Sequence, residues 1–232
     1  MENLWKTFED FGIVLNFDQR EKIQKHFDLL MKWNKVHNLT TIEDPKKIFL
    51  YHYVDSFLGL KLLTSPLTPL QQLERGNTTG ANPSPLGGEG AARSAAGEVS
   101  EIYDLGSGAG FPGIMAAILW PEKDIFLVES SKKKASFLSL AAASLDLNRV
   151  NVLCQRVEQL ENVEFAISRA AFSPENWKLL NPAMALGGRV AFWLSETQLS
   201  EIKPGWVLET QACYELEPGN KRQVAVFHVK LD

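Results

Sequence analysis

Apolar side chains recur at helical spacing through the N-terminal part of the chain, residues 1–63. Asp18 followed by Glu21 has the pattern of a capping box and predicts the start of a long helix. A second helix is predicted to start at Pro45, which needs no amide donor there, and to continue through Leu58. We therefore expect an N-terminal helical extension. The first helix carries the stripe Ile23, Phe27, Leu30 and Asn34, widened by Leu29 and Trp33.

Residues 64–100 have a different composition. They hold four of the 11 prolines and six of the 16 glycines, and no aromatic residue. Such a segment buries too little apolar surface to offset the entropy of ordering it, and a structureless loop of this length is unusual inside a compact domain. We predict a disordered low-complexity insertion, and a functional lid is the less favoured alternative.

From residue 101 to residue 232, short apolar runs alternate with helical stretches. Such β-α units form a mostly parallel sheet that is covered by helices on both faces. The sequence therefore predicts an α/β fold with a seven-stranded sheet and one antiparallel edge hairpin around Pro218–Asn220. The predicted strands are Ile102–Leu105, Asp124–Glu129, Val150–Cys154, Val163–Ser168, Arg189–Leu194, Trp206–Tyr214 and Gln223–Val229. The predicted helices are Gly113–Trp120, Lys132–Leu145 and Pro174–Ala185.

A glycine loop, Asp104-Leu-Gly-Ser-Gly-Ala-Gly-Phe-Pro-Gly113, follows the first of these strands. Ligands of open parallel sheets bind at the C-terminal ends of the strands, and glycines let the backbone approach them closely. A dinucleotide fingerprint needs Gly-x-Gly-x-x-Gly, but Phe111 stands in the place of its third glycine. Gly106 and Gly108 instead belong to an alternating series that suits the amino and carboxylate groups of a methionine moiety. The loop therefore favours S-adenosylmethionine over NAD.

Glu129 ends the second predicted strand, 23 residues after Gly106. A carboxylate at this place can accept hydrogen bonds from both hydroxyls of a ribose. An NAD site would place its acid similarly, so Glu129 supports a nucleoside cofactor without choosing between the two. A surface acid at a strand end is the alternative.

Composition and charge restrict the class of protein. No apolar stretch reaches the roughly 18 residues of a membrane span, and the N-terminus shows no secretory pattern. We therefore expect a cytoplasmic protein, and we expect it to be a monomer. Cys154 and Cys213 have no partner at metal-ligand spacing, which predicts reduced thiols and no metal site. A net charge of −4 argues against tight binding of naked nucleic acid through its phosphates, although it leaves an RNA substrate open, and it favours a substrate presented by something else, such as a folded particle.

Several motifs are spread along most of the chain: Asn34–Thr40, His52–Ser56, Gly106–Gly113, Glu129–Leu138, Arg156–Glu158, Ser168–Ala170 and Arg222. They resemble those of the bacterial 16S rRNA guanine-N7 methyltransferases called RsmG, formerly glucose-inhibited division protein B. The resemblance implies a class I (Rossmann-like) methyltransferase and transfer of a methyl group from S-adenosylmethionine to N7 of guanine 527 in 16S rRNA. That nitrogen carries a lone pair and no proton, so alignment and electrostatics suffice without a general base.

The resemblance also implies roles for single residues. Gly106, Gly108 and Phe111 would contact the cofactor, and Val157 and Glu158 would lie by its adenine. Arg169 would close the site near the cofactor and the incoming base, in a positioning role.

Contacts to RNA are predicted at two places. Lys132, Lys133 and Lys134 begin a helix, where the helix dipole disfavours cations, so phosphate contact or a solvated face are the two interpretations. His52 shares a helix face with Asp55, and it is either a base-recognising or a packed structural histidine.

The chain departs from the family pattern at two places. Tyr51 stands where the family usually has arginine, and the apolar run Val190–Leu194 stands where it usually has lysine. These departures leave two alternatives open: a methyltransferase with another acceptor, and a non-catalytic relative that binds ribosomes.

Overall fold

The computed structural model describes residues 2–64, 72–73, 99–171, 180, 182–195 and 205–229. The helices are α1 (Glu2–Asp10), α2 (Phe17–His37), α3 (Pro45–Ile48), α4 (Asp55–Thr64), α5 (Gly113–Leu119) and α6 (Lys132–Ser144). A π-helix (Phe49–Val54) joins α3 to α4, and a 3₁₀ turn spans Val157–Gln159. The strands are β1 (Gln72–Leu73), β2 (Glu101–Leu105), β3 (Asp124–Val128), β4 (Val150–Leu153), β5 (Val163–Arg169), β6 (Met184–Ser195), β7 (Trp206–Glu217) and β8 (Asn220–Val229).

The strands form one sheet in the order β1-β7-β8-β6-β5-β2-β3-β4. Only the β6–β8 and β7–β8 pairs of this described sheet are antiparallel, so the mostly parallel α/β fold and the closing hairpin are confirmed. β2 lies between β3 and β5. The C-terminal ends of these three strands therefore meet, and the glycine loop leaves from the middle one.

One residue pair of the predicted insertion belongs to the sheet. Gln72 and Leu73 form β1 and pair in parallel with Cys213 and Tyr214 of β7. Residues 65–71 and 74–98 lie outside the described part of the chain, so the disorder predicted for the insertion stays a prediction.

The run Val190–Leu194 is continuously apolar because both faces of β6 are buried. Ala191 and Trp193 join the core that contains the N-terminal helices, α5 and α6. Val190, Phe192 and Leu194 join a second core on the other face, with Leu180 and Ala183. The departure from the family pattern on this strand is therefore a core feature.

The N-terminal helices share their core with the sheet. Phe8 of α1 packs edge-on against Phe57 of α4 with ring centroids 5.6 Å apart. Gly59 of α4 faces the indole of Trp193, and a Cβ at Gly59 would lie 2.3 Å from that ring. These contacts fix α4 and the preceding π-helix above the sheet.

The predicted N-cap of the long helix, Asp18, was wrong by two residues. Asn16, with an extended backbone, accepts a hydrogen bond from the Gln19 amide at 2.8 Å, and Gln19 Oε1 accepts one from the Asn16 amide at 3.1 Å. Asp18 lies inside the first turn, where its carboxylate pairs with Lys22. An N-cap residue needs an extended backbone, which Asn16 has. The sequence pattern Asp18–Glu21 does not indicate which residue adopts that conformation.

Two other predicted helices also need correction. The helix from Pro45 to Leu58 is interrupted by the π-helix and extends to Thr64. Met184 and Ala185, predicted to end a helix from Pro174, belong to β6, where Met184 pairs with Val163. Residues 172–179 and 181 lie outside the described chain.

Candidate active site

A cavity of about 530 Å³ opens at the C-terminal ends of the parallel strands. Its walls come from the glycine loop, from the turn 155–158 after β4, from Arg169–Ala171 at the end of β5, and from His52 on the π-helix. Sequence-predicted site residues at these walls are Gly106, Gly108, Phe111, Glu129, Val157, Glu158, Lys134, His52 and Arg169. The structure therefore brings together nearly all of the predicted set.

Glu129 holds the glycine loop in place. Its Oε2 accepts a hydrogen bond from the Gly108 amide at 3.0 Å, and its Oε1 accepts one from the Ser131 amide at 2.8 Å. Each carboxylate oxygen has further acceptor capacity, and the residue lines the cavity. Gly108 has a φ of 57°, a backbone conformation that residues with a Cβ rarely adopt. The acid and the loop therefore form one unit.

Asp104 anchors the other end of the loop from inside the core. Its Oδ2 accepts a hydrogen bond from the Gly113 amide at 2.9 Å, and a Cβ at Gly113 would lie 2.4 Å from this oxygen. Asp104 is fully buried, and its Oδ1 has no hydrogen-bond partner among the described residues. Burial raises the pKa of Asp104 from 3.8 to about 7, because a charged form without full hydrogen bonding is costly there.

Replacement of Asp104 by asparagine should change how stability depends on pH. Since the folded pKa lies above the unfolded one, the protonated carboxyl contributes stability that is fully present below pH 3.8 and is lost as the pH rises through about 7. The free energy of unfolding of Asp104→Asn relative to wild type should therefore rise between pH 5 and pH 8. Urea titrations across this range measure it, and parallel curves for the two proteins would contradict the buried neutral carboxyl.

Arg169 ends β5 and makes contacts on three sides. Its Nη1 donates to the Tyr51 carbonyl at 2.7 Å and to Asp55 Oδ2 at 3.3 Å, and its Nη2 donates to His52 Nδ1 at 3.1 Å. The guanidinium carbon lies 5.3 Å from the ring centroid of Phe111. Arg169 therefore connects the glycine loop to the π-helix.

The tautomer of His52 follows from these partners. A guanidinium only donates, so His52 Nδ1 is the acceptor and its Nε2–H donates to Thr40 Oγ1 at 2.8 Å. Burial, and then the charge of Arg169, lower the pKa of His52 to about 3. The ring stacks on Phe111 with centroids 5.0 Å apart. His52 is thus a neutral, well-packed histidine that still lines the cavity.

Asp55 is the centre of a buried polar cluster. It is fully buried and accepts hydrogen bonds from Arg169, from Arg222 Nε and Nη2 at 3.3 and 3.2 Å, and from the Tyr214 hydroxyl at 2.6 Å. One carboxylate therefore serves two guanidinium groups. The hairpin β7–β8 supplies Tyr214 and Arg222, and so it fixes the position of Arg169 through Asp55.

Tyr51 replaces the arginine expected from the family pattern, and the structure gives it a different contact. Its hydroxyl donates to Glu217 at the end of β7, and its carbonyl accepts from Arg169. Leu194 is buried in the second core. The side chain of Tyr51 thus joins the π-helix to the C-terminal hairpin.

The three lysines of α6 do not share one environment. Lys134 is half-buried and lines the cavity, whereas Lys132 and Lys133 are exposed. Phosphate contact by Lys133 and Lys134 stays a prediction, and of these two lysines only Lys134 lines the cavity.

The sequence did not single out Asp55, Tyr214 and Arg222 as site residues. Asp55 occurred only in a family motif and on the predicted helix face of His52, Arg222 occurred only in a family motif, and Tyr214 had no signal beyond its strand. Asp55 and Arg222 are 167 positions apart, and no local pattern reports a contact across that separation.

The parallel sheet, the glycine loop after β2 and the acid that follows β3 define a Rossmann-like methyltransferase. The family described as rRNA small subunit methyltransferase G matches residues 91–212. A curated relative from Dichelobacter nodosus, named ribosomal RNA small subunit methyltransferase G, is 33% identical over 78% of this chain and 70% of its own length. A relative of the same name from Bordetella avium is 29% identical over 73% of this chain and 64% of its own length, which is less than two thirds. The chain belongs to the rRNA small subunit methyltransferase G family.

Solved structures with a similar fold include TrmN from Thermus thermophilus, which is 18% identical with a TM-score of 0.45 over 56% of this chain and 44% of that one.

The described residues contain no group of three or more metal-ligating side chains. Among the described helices, none is long and apolar enough to cross a membrane.

Proposed function

We propose that this protein transfers a methyl group from S-adenosylmethionine to N7 of guanine 527 in 16S rRNA, within a small-subunit particle. The observation that carries the proposal is one cavity lined by two chemically different groups of residues. The glycine loop and Glu129 form one group, and Arg169 and His52 form the other. The position of the guanine follows from the family resemblance.

The cofactor side of the cavity fits S-adenosylmethionine in size and chemistry. A volume of about 530 Å³ lies within the range of roughly 300–1,000 Å³ for small-molecule sites. Glu129 offers carboxylate oxygens for ribose hydroxyls, and Val157 offers an apolar wall for adenine. A Cβ at Gly110 would meet Ile114 at 2.7 Å, so the loop keeps its close turn only with glycine there. When bound, the cofactor supplies an activated methyl group on sulfur.

The acceptor side of the cavity suits an aromatic base that needs no deprotonation. Both ring nitrogens of His52 are engaged, by Arg169 and Thr40, so His52 positions neighbours and does not move a proton. Arg169 presents a cation beside Phe111, where it can orient the oxygen edge of a guanine. Alignment and electrostatic stabilisation are sufficient for attack by the N7 lone pair.

Methyl transfer by the purified protein tests this proposal. Small ribosomal subunits from cells that lack the gene are incubated with the protein and S-adenosylmethionine labelled on the methyl group, and the modified nucleotide is mapped. We expect label only at guanine 527, as N7-methylguanosine. The variant Gly108→Asp should give no label, because it adds a negative charge to the residue whose amide bonds to Glu129 and because its backbone would be strained at a φ of 57°.

Other outcomes distinguish the alternatives. Label in a small molecule or a protein, with none in the subunits, would favour another acceptor. Absence of cofactor binding by the folded protein would favour a non-catalytic ribosome-binding relative.

A further inference from the structure

A buried histidine in the N-terminal helix α2 contacts the cofactor loop directly. His26 is fully buried. Its Nε2 lies 3.1 Å from the carbonyl oxygen of Ala109, and its Nδ1 lies 2.7 Å from the hydroxyl of Tyr53. The loop contact joins residues that are 83 positions apart in the chain.

The partners of His26 determine which nitrogen carries the proton. A carbonyl oxygen only accepts, so Nε2–H donates to Ala109, and Nδ1 accepts from the Tyr53 hydroxyl. Burial lowers the pKa of His26 to about 4, so the imidazole is neutral near pH 7. Neutral imidazole meets both requirements at once, because it has one donor and one acceptor.

Aromatic packing fixes the orientation of the imidazole ring. The ring meets Phe111 of the loop edge-on, with centroids 5.3 Å apart and an interplanar angle of 90°. Phe137 of α6 lies 5.8 Å away on another side. This packing keeps the Nε2–H of His26 directed at the Ala109 carbonyl.

Ala109 lies between two glycines of the loop, Gly108 and Gly110, whose φ angles are 57° and 91°. Glycine has the widest backbone freedom of any residue, so hydrogen bonds on this part of the loop decide its conformation. The peptide between Ala109 and Gly110 has two such bonds: the Gly110 amide donates to the Ser107 carbonyl at 2.7 Å within the loop, and the Ala109 carbonyl accepts from His26. Glu129 holds the peptide before Gly108 through the Gly108 amide, and His26 is the contact that helix α2 adds.

We propose that His26 is a positioning residue for the cofactor loop, and that helix α2 is thereby a functional part of the cofactor site. The inference rests on the cofactor assigned under the proposed function. It concerns a residue that need not touch the cofactor, since His26 does not line the cavity walls described above.

Two substitutions separate the hydrogen bond from the packing. Glutamine places an amide donor near the position of imidazole Nε2, whereas asparagine is too short to reach Ala109. We expect His26→Asn to raise the Kd for S-adenosylhomocysteine about tenfold, the cost of one lost hydrogen bond to a buried carbonyl. His26→Gln should stay within about threefold of wild type. Calorimetric titration of the purified full-length protein measures both, after circular dichroism has shown that each variant is folded.

Amide exchange gives a readout that general destabilisation would not reproduce. In His26→Asn the amides of Gly108 and Gly110 should exchange about tenfold faster, while the Ile125 amide in β3, bonded to Arg149, keeps its wild-type rate. Equal Kd values for wild type and His26→Asn would overturn the inference. An equal loss of affinity for S-adenosylhomocysteine in His26→Gln and His26→Asn would also overturn it, because the lost ring packing would then be the cause.

A further test uses only the wild-type protein, so its result does not depend on whether a variant folds. Nitrogen-15 spectra should show His26 as the neutral tautomer with the proton on Nε2, and S-adenosylhomocysteine should slow exchange of that proton, because coupling between two sites is reciprocal. A proton on Nδ1, or exchange unaffected by the bound ligand, would overturn the inference. Failure of the wild type to bind S-adenosylhomocysteine at all would instead contradict the proposed function, and the tautomer and loop exchange would still decide the role of His26.

Discussion

Replacement of Asp55 by asparagine should lower the free energy of unfolding by about 3–5 kcal/mol, the cost of removing one partner from a buried ion pair. The carboxylate is fully buried and accepts from Arg169, Arg222 and Tyr214. Asparagine has nearly the same shape but no charge, and its amide group would face donors. Two guanidinium groups, with side chains only 11% and 24% exposed, would then lack their counter-charge.

Urea denaturation monitored by tryptophan fluorescence measures this loss. Asp124→Asn is the matched control, because its carboxylate pairs with Arg149 at a site where the two side chains are 34% and 50% exposed. An exposed pair of this kind contributes about 0–1 kcal/mol. Similar losses for the two substitutions would mean that Asp55 is not the anchor of the cluster.

Replacement of Arg169 by lysine should reduce methyl transfer to ribosomal subunits about 100-fold, the effect typical of one lost electrostatic contact in a preorganised site. Lysine has a single ammonium group, and it cannot reach the Tyr51 carbonyl, Asp55 and His52 together from β5. Because Gly108 and Glu129 bind each other without Arg169, the Kd for S-adenosylhomocysteine should change less than about threefold, well under 1 kcal/mol.

Single-turnover rates and calorimetry separate the two effects. Arg189→Lys is the control for an arginine-to-lysine change, since Arg189 lies over Phe165 and pairs with Glu209, away from the cavity. It should keep the wild-type rate within about twofold, because partly exposed pairs contribute little. A larger effect of Arg169→Lys on cofactor binding than on transfer would assign Arg169 to the cofactor instead of the base.

The strands, the glycine loop and the acid after β3 could be predicted because each depends on local sequence. Apolar runs such as Val190–Leu194 indicate a strand that is buried on both faces. Gly108 indicates a backbone conformation that residues with a Cβ rarely adopt. Family motifs added Arg169, which the structure places at the cavity beside Phe111. Local patterns therefore gave most of the fold and the cofactor side of the site.

The polar cluster around Asp55 could not be predicted in the same way. Its members come from α4, β5, β7 and β8, and only the folded sheet brings them together. No sequence pattern singled out His26, which is buried against the loop. The N-cap of the long helix is Asn16 and not Asp18, because backbone conformation decides between two similar capping patterns.

The fold also explains the two departures from the family pattern, at Tyr51 and at Leu194. Tyr51 bonds to Glu217 and Leu194 is in the core, so both substitutions have structural partners of their own. Neither of them alters the walls formed by Gly108, Glu129 and Arg169. The cavity therefore keeps the residues that the proposed reaction requires.

Nucleoside mass spectrometry of 16S rRNA from cells with and without the gene tests the central claim most directly. The fragment that contains guanine 527 should carry N7-methylguanosine in the parent strain and lose it in the deletion strain. Expression of the wild-type chain should restore the modification, and expression of Gly108→Asp should not. An unchanged level of N7-methylguanosine at this position in the deletion strain would contradict the assignment.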